Sequence, residues 1–361
     1  MTIPIARPLL GEEEIAAVAA VLRSGMIARG PRVDEFEARF REVSGTAHAV
    51  ATSSGTAALH AALHAAGIRR GDEVIVPSFT FMGTASAVCM CGARPVFADV
   101  DEVTCTLDPA DVARKLTPRT RAVIGVHLFG HPCDTRALGE ICGDAGPVFI
   151  EDAAQAHGAL DRGRPVGSIG DLGCFSFYPT KNMTTGEGGM VTTDDAALAR
   201  RVRRFIDHGQ EEKYLHAEVG YNYRMTDIAA AMGLVQLGRL PEANKARIEN
   251  ARRYREGLFA TPLILPREAP GVRHVYHQFV VQVPPGAPFT RKELIAHLAG
   301  RGIGTAIHYP IPLHRQPAFA GIGGECPVSD RLATQVLSLP VHPGVSVEDV
   351  DLVCRTIREV C

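Results

Sequence analysis

The stretch that decides the fold reads Phe-Ser-Phe-Tyr-Pro-Thr-Lys-Asn at residues 175–182 and continues as Gly-Glu-Gly-Gly at residues 186–189. An apolar run that stops at a proline predicts a buried strand ending at the edge of a sheet. Lys181 follows directly, in a small, polar, glycine-rich loop. A lysine attacks carbonyl groups only as the neutral amine, so burial or nearby charge must lower its pKa from about 10.4. Taken alone, a lysine in such a loop is more often simply solvated.

A second motif lies upstream, where Glu-Asp-Ala-Ala-Gln at residues 151–155 follows the apolar run of residues 148–150. An acid at the carboxyl end of a buried strand faces the crevice in which α/β enzymes bind ligands. Asp152 therefore fits a carboxylate that holds a proton on a heterocyclic nitrogen. The alternative is a simple helix cap, because aspartate before an alanine-rich run often has that role.

A third motif, Thr-Ser-Ser-Gly-Thr-Ala at residues 52–57, opens a helix after a short strand. Free N–H groups and the positive end of the helix dipole make such a turn suited to a phosphate, although an ordinary capped helix has the same residues. A lysine, a carboxylate and a phosphate site in this combination indicate pyridoxal-5′-phosphate (PLP) as the cofactor.

The rest of the chain up to about residue 193 alternates short apolar runs with amphipathic stretches. This alternation predicts an α/β fold with a mostly parallel sheet that helices cover on both faces. Residues 225–258 read as a long helix with a kink or break at Pro241, and the pattern after it is that of a smaller α+β domain. We place a large PLP-binding domain at residues 1–243 and a small C-terminal domain at residues 244–361.

Composition narrows the function classes. The 361 residues carry a formal net charge of −2 without a long run of one sign, so no nucleic acid is expected as a partner. No stretch approaches about 18 apolar residues, so we expect no membrane span. The nine cysteines form no C-x-x-C pair, which favours reduced thiols and a cytoplasmic location. His308 and His314 have no third ligand near them in sequence, so no metal site is predicted.

The order of these motifs, with Gly-Tyr-Asn-Tyr-Arg-Met at residues 220–225, resembles the DegT-type sugar aminotransferases. The resemblance covers about residues 8–343. It implies the aspartate-aminotransferase (type I) PLP fold with a seven-stranded sheet, a homodimer with shared active sites, a nucleotide-linked keto-sugar as substrate and L-glutamate as amino donor.

The same resemblance implies a role for each matching residue. Lys181 carries the cofactor and moves protons, and Asp152 pairs with the pyridine nitrogen. The other cofactor contacts it implies are Gly55, Thr56, Ala57 and Ser176 at the phosphate, Gln155 at the ring hydroxyl, Phe81 stacked on the ring, and Asn222 reaching the phosphate from the other subunit. The substrate contacts it implies are Asn182, Tyr221, Tyr309 and His314.

The tract at residues 222–227 resembles that of family members that aminate C4, such as perosamine synthases, so the resemblance implies a 4-keto sugar in preference to a 3-keto sugar. Three alternatives stay open beside this transamination. The family also contains dehydratases, but these have histidine at the position of Lys181. A non-enzymatic PLP-binding regulator would be expected to carry an appended basic helix-turn-helix, and none is visible. A nucleotide-dependent dehydrogenase would need G-x-G-x-x-G after the first strand, and the glycines of residues 167–173 have the wrong spacing and precede a strand.

Overall fold

The computed structural model describes residues 2–143 and 146–361, and its centre is a seven-stranded sheet. The strands are β1 (His48–Thr52), β2 (Glu73–Pro77), β3 (Arg94–Ala98), β4 (Thr120–Val126), β5 (Val148–Asp152), β6 (Leu172–Ser176) and β7 (Gly189–Thr193). Their spatial order is β1-β7-β6-β5-β4-β2-β3. Only β7 runs antiparallel to its neighbours, β1 and β6. The predicted mostly parallel sheet is confirmed.

Both faces of this sheet are buried, as the near-continuous apolar strands predict. In β2, Val74 and Val76 belong to one hydrophobic cluster, whereas Ile75 points to another on the opposite face. The helices are α1 (Glu12–Ser24), α2 (Pro31–Ser44), α3 (Gly55–Ala65), α4 (Met82–Met90), α5 (Pro109–Lys115), α6 (Thr135–Cys142), α7 (Ala196–Ile206), α8 (Asp227–Leu258), α9 (Arg291–Gly300), α10 (Pro327–Gln335) and α11 (Val347–Arg358). Short 3₁₀ turns lie at Leu128–Gly130, Leu313–Arg315 and Pro317–Phe319.

The C-terminal part is a smaller α+β unit. Its strands β8 (Phe279–Gln282) and β9 (Val336–Leu339) pair antiparallel and pack with α9, α11 and the end of α8 around Tyr254 and Leu258. Minor strands complete the chain: Leu160–Asp161, Arg164–Pro165 and Val272–Arg273 form one ribbon, and Gln210–Glu212 pairs with Leu215–His216.

The long helix α8 joins the two parts without interruption. It passes through Pro241, so of the predicted kink or break the break is absent, and the proposed boundary near Asn244 lies inside the helix. At the other end of the chain, Ile3 bridges to Ile303 and packs into the C-terminal cluster. The division at residue 243 stays a prediction.

None of the helices within the described residues combines the length and the apolar character needed to cross a membrane, including the 32-residue α8. Across residues 2–143 and 146–361, no group of three or more His, Cys, Asp or Glu side chains is arranged to hold a metal ion.

Candidate active site

The three motifs meet around one cavity of about 640 Å³ at the carboxyl edge of the sheet. Parallel strands end on the same edge, so the residues that follow β5 and β6 become neighbours, and the N-terminus of α3 lies beside them. The predicted site residues that line this cavity are Gly55, Thr56, Phe81, Asp152, Gln155, Ser176, Lys181 and Tyr309.

Lys181 lies in the loop after β6, where its N–H donates to the carbonyl of Tyr178 at 2.9 Å. Burial lowers the pKa of its amine to about 8, because the charged form loses hydration, and the carboxylate of Asp152 opposes that shift. With that pKa, about a tenth of the amine is neutral at pH 7 and about half at pH 8. A lysine in that state can act as a nucleophile.

Asp152 is the last residue of β5 and is buried. Thr84 of α4 donates its hydroxyl to Oδ2 at 2.8 Å, and the N–H of Ala154 donates to Oδ1 at 3.2 Å. Burial raises the pKa of this carboxyl, since these two donors and the charge of Lys181 do not fully replace water. A cationic partner inside the cavity would lower this pKa and favour the ionised form.

The N-terminus of α3 forms a cradle for an anion. Ser54 caps the helix, and its Oγ accepts from the N–H of Ala57 at 3.1 Å. The N–H groups of Gly55 and Thr56 have no acceptor among the described residues. A Cβ on Gly55 would lie 2.6 Å from the Cβ of Ser176, so only glycine lets the helix start approach the end of β6 this closely. This geometry fits a phosphate.

Gln155 and Phe81 shape the remaining wall. The Oε1 of Gln155 accepts from the N–H of Phe129 at 2.7 Å, and its Nε2 donates to the hydroxyl of Tyr309 at 3.0 Å. Phe81 precedes α4 and is 58% exposed, with its ring centroid 6.2 Å from that of Tyr309. An aromatic ring left uncovered at a cavity is suited to stack on a flat ligand.

Five predicted site residues do not line this cavity. Ala57 has its N–H occupied by Ser54. The ring of Tyr221 stacks on that of Tyr223, with 5.0 Å between the ring centroids. Asn222 is exposed and lies outside the cavity of its own chain. His314 is buried, with Nε2 3.3 Å from Asp330.

Asn182 is the fifth and turns away from the cavity although it follows Lys181. Its Nδ2 donates to Asn244 Oδ1 at 2.8 Å and to the carbonyl of Val275 at 3.2 Å. Its Oδ1 lies 3.3 Å from Nδ1 of His277. The amide of Asn182 therefore lies behind the cavity wall, and its contact with the substrate stays a prediction.

The cavity is also lined by residues that no sequence motif singled out, among them Thr84 and His277. Thr84 lies in an apolar helix, and only its distance to Asp152 gives it a role. His277 stands two residues before β8 as a single histidine without a recognisable motif. The one sequence signal that could have pointed to His277 is a polar side chain shortly before an apolar strand.

Glu151 precedes Asp152 and points to the opposite side of β5. Its carboxylate accepts from Nε2 of His127 at 2.9 Å and from the backbone N–H groups of Gly167, Ile169 and Gly170 at 2.7–2.8 Å. The N–H of Cys133 donates to Nδ1 of His127, so that imidazole carries its proton on Nε2. Glu151 thus anchors the segment that leads into β6.

This fold and this site define a PLP-dependent aminotransferase. The family model of the DegT/DnrJ/EryC1/StrS aminotransferases matches residues 8–358, and the chain belongs to that family. The resemblance drawn from the motifs, the type of fold and the PLP cofactor are thereby confirmed.

Comparisons with individual proteins support the same class of enzyme. The chain is 43% identical to the dTDP-3-amino-3,4,6-trideoxy-alpha-D-glucose transaminase of Streptomyces venezuelae, over 97% of this chain and 92% of that protein. It is 41% identical to the UDP-N-acetyl-3-dehydro-alpha-D-glucosamine 3-aminotransferase of Acidithiobacillus ferrooxidans, over 97% and 94%. A Streptococcus pneumoniae protein solved in its PLP form superposes with a TM-score of 0.93 at 30% identity, over 100% of this chain and 98% of that one.

Proposed function

We propose that the protein transfers the amino group of L-glutamate to a keto-sugar linked to a nucleoside diphosphate. The observation that carries the proposal is the amine of Lys181, with its lowered pKa, in one cavity with Asp152 and the open N-terminus of α3. The two named relatives act on nucleotide-linked sugars, which supports the same substrate class here.

The residues of the cavity fit PLP. The Nζ of Lys181 would bind its aldehyde carbon, and the N–H groups of Gly55 and Thr56, with the hydroxyl of Ser176, would hold its phosphate. The carboxylate of Asp152 would face the ring nitrogen, where a protonated ring supplies the cation that this buried acid lacks. When bound, the cofactor supplies an electron-accepting ring to the carbon that loses or gains a proton.

Lys181 is proposed to move the proton. In the donor step its neutral Nζ would accept a proton from the α-carbon of the amino donor and pass it to the cofactor. In the sugar step the same Nζ would take a proton back from the cofactor and give it to the sugar carbon that receives nitrogen. Asp152 keeps its negative charge during both steps and fixes the ring orientation, with Thr84 holding its Oδ2. Donor and sugar use the same cavity in turn, so the kinetics should be ping-pong.

Charge supports a homodimer with shared sites. Lys181 is the one lysine or arginine that lines the cavity in the described part of the chain, while the proposed ligands carry several negative charges. Asn222 is exposed, and so are Tyr214 (82%) and Val219 (87%) in the segment before it. Exposed apolar side chains beside a polar site suit a contact with a second subunit. A second copy would then bring Asn222 to the phosphate.

The position of the keto group has two candidate answers. The tract at residues 222–227 favours C4, whereas both named relatives have position 3 in their names. Because the relatives match nearly the whole chain and the tract only six residues, the preference moves to C3.

A substrate panel tests the proposal. GDP-, dTDP- and UDP-linked 3-keto and 4-keto sugars are incubated with glutamate and read by mass spectrometry, with Lys181→Ala as the inactive control. The expected result is one amino-sugar and an equal amount of 2-oxoglutarate. A sugar that loses water without glutamate would identify a dehydratase, and cofactor binding without turnover of any sugar would favour a regulator.

A further inference from the structure

His277 is a cavity residue to which no role has been assigned above. It is 5% exposed and lines the same cavity as Lys181. In a cavity with one lysine and no arginine in its described lining, a histidine is the natural candidate to bind a carboxylate or a phosphate. The hydrogen bonds on the far side of the His277 ring instead indicate that it accepts a hydrogen bond from its ligand.

The first step is the orientation of the Asn182 amide. Its Nδ2 lies 3.2 Å from the carbonyl of Val275, which can only accept, so the NH₂ group must face that carbonyl. The Asn244 amide is fixed in the same way, because its Nδ2 donates to the carbonyl of His157 at 2.8 Å. Asn182 Oδ1 must therefore face His277, and neither amide can be reversed without losing a backbone bond.

The second step is the position of the imidazole proton. Since Oδ1 of Asn182 can only accept, the Nδ1 of His277 that lies 3.3 Å away carries a hydrogen. A neutral imidazole has one N–H, so Nε2 then has a free lone pair. No partner for Nε2 is found among the described residues, and the ring lines the cavity.

The third step is the charge of the ring. Burial, with the positive charges of Lys181 and Arg247, holds the pKa of His277 well below its ordinary value; His308 and His157 also face it. Arg247 is itself buried and donates to the carbonyls of Tyr276 and His277 at 3.3 and 3.2 Å. Its positive charge disfavours a second positive charge on the imidazole.

We propose that His277 binds a hydroxyl group of the acceptor sugar through Nε2, as a hydrogen-bond acceptor, and does not bind the anionic groups of donor or nucleotide. A lone pair repels carboxylate and phosphate oxygens but accepts from a hydroxyl. Tyr309 would act as a hydrogen-bond donor instead. Gln155 Nε2 donates to its hydroxyl oxygen, which leaves the hydroxyl proton free for the ligand. This inference rests on the proposed function, since it names a contact to the sugar.

Nitrogen NMR tests the tautomer without cofactor or substrate. Protein labelled with ¹⁵N at the histidine rings is followed from pH 6 to pH 9, and the resonances missing in His277→Gln assign the ring. The expected result is a protonated Nδ1 and an unprotonated Nε2 throughout. An imidazolium at pH 7, or a proton on Nε2, would overturn the inference.

The two half-reactions test the ligand. Glutamate alone reports the donor step through the cofactor's visible absorbance, and the keto-sugar found by the panel reports the second step. In His277→Leu we expect the sugar step to lose about 10- to 100-fold in kcat/KM while the donor step stays within about 3-fold. His277→Gln retains an acceptor and should recover most of the sugar step, and it also shows that a folding defect is not the cause. His297→Leu, in α9 outside the cavity, is the control expected to match wild type.

The outcomes separate the two proposals. A wild-type protein that completes the donor step but converts no sugar contradicts the proposed function, and the hydroxyl assignment with it. A normal wild type whose His277→Leu variant keeps its sugar step, or loses both steps equally, contradicts the assignment of His277 alone.

Discussion

Glu151 and Asp152 are adjacent on β5, yet the two carboxylates have opposite surroundings. Glu151 is fully buried and accepts four hydrogen bonds, three of them from the backbone. Asp152 accepts two and faces the cavity that contains Lys181. Burial tends to raise the pKa of both carboxyl groups. The hydrogen-bond donors around Glu151 outweigh burial and lower the pKa of Glu151, whereas the pKa of Asp152 is raised. A buried carboxylate that accepts a full set of hydrogen bonds stabilises the fold. One that accepts few hydrogen bonds and faces a cavity is available for chemistry.

The largest effect is expected on the cavity side, at Lys181. Lys181→Ala removes the one amine that can bind the cofactor covalently and move the proton, so turnover should fall by more than about 10⁴-fold. Steady-state transamination measures the loss. Circular dichroism and the urea midpoint should stay near wild type, and a variant with near-normal rates would show that Lys181 has another role.

Asp152→Asn should come next. It keeps the shape and the bond from Thr84 but removes the charge opposite the ring nitrogen, so kcat should fall about 10²- to 10³-fold. The pKa of Lys181 should also fall further, because Asp152 is the charge that raises it. Stopped-flow rates and a pH titration measure the two effects. An unchanged kcat in Asp152→Asn would contradict the catalytic role that separates Asp152 from Glu151.

The pH dependence of cofactor capture is the third test. Only the neutral amine of Lys181 reacts, and its pKa is lowered to about 8. Capture of PLP by cofactor-free protein should therefore rise about 10-fold per pH unit well below pH 8 and level off above it. A plateau reached only near pH 10 would mean that burial does not lower this pKa.

Thr84→Val tests the support of Asp152 from the cavity side. The substitution keeps the volume and deletes the 2.8 Å bond to Oδ2. We expect kcat to fall about 5- to 10-fold, which corresponds to about 1 kcal/mol, the usual net contribution of one hydrogen bond. Thr84→Ser should restore most of the rate. Equal rates for the valine and serine variants would mean that the bond has no catalytic effect.

Glu151→Gln should have the smallest effect on activity. It weakens the pairing with His127 and the anchoring of residues 167–170, so unfolding should become easier by about 2–3 kcal/mol while kcat changes by less than about 3-fold. Urea unfolding and steady-state rates measure both. A loss of kcat comparable to that of Asp152→Asn, with unchanged stability, would reverse the roles assigned to the two acids.

Local signals in the sequence predict part of this structure. The buried strands, the glycine at the start of α3 and the positions of Asp152 and Lys181 follow from apolar runs and from the residues that end them. The directions of Asn182 and His314 did not follow, because a side chain after a strand can turn to either side of the edge. Thr84 lies 68 positions from Asp152, and His277 95 positions from Asn182, so only the folded chain brings each pair together.

The most direct test of the account is the site of covalent attachment. The purified protein is supplied with PLP, reduced with borohydride and digested, and the modified peptide is found by mass spectrometry. Of the five lysines at positions 115, 181, 213, 245 and 292, we expect the phosphopyridoxyl group on Lys181 alone, in one copy per chain. An unmodified Lys181, or modification spread over the other four, would contradict the central claim.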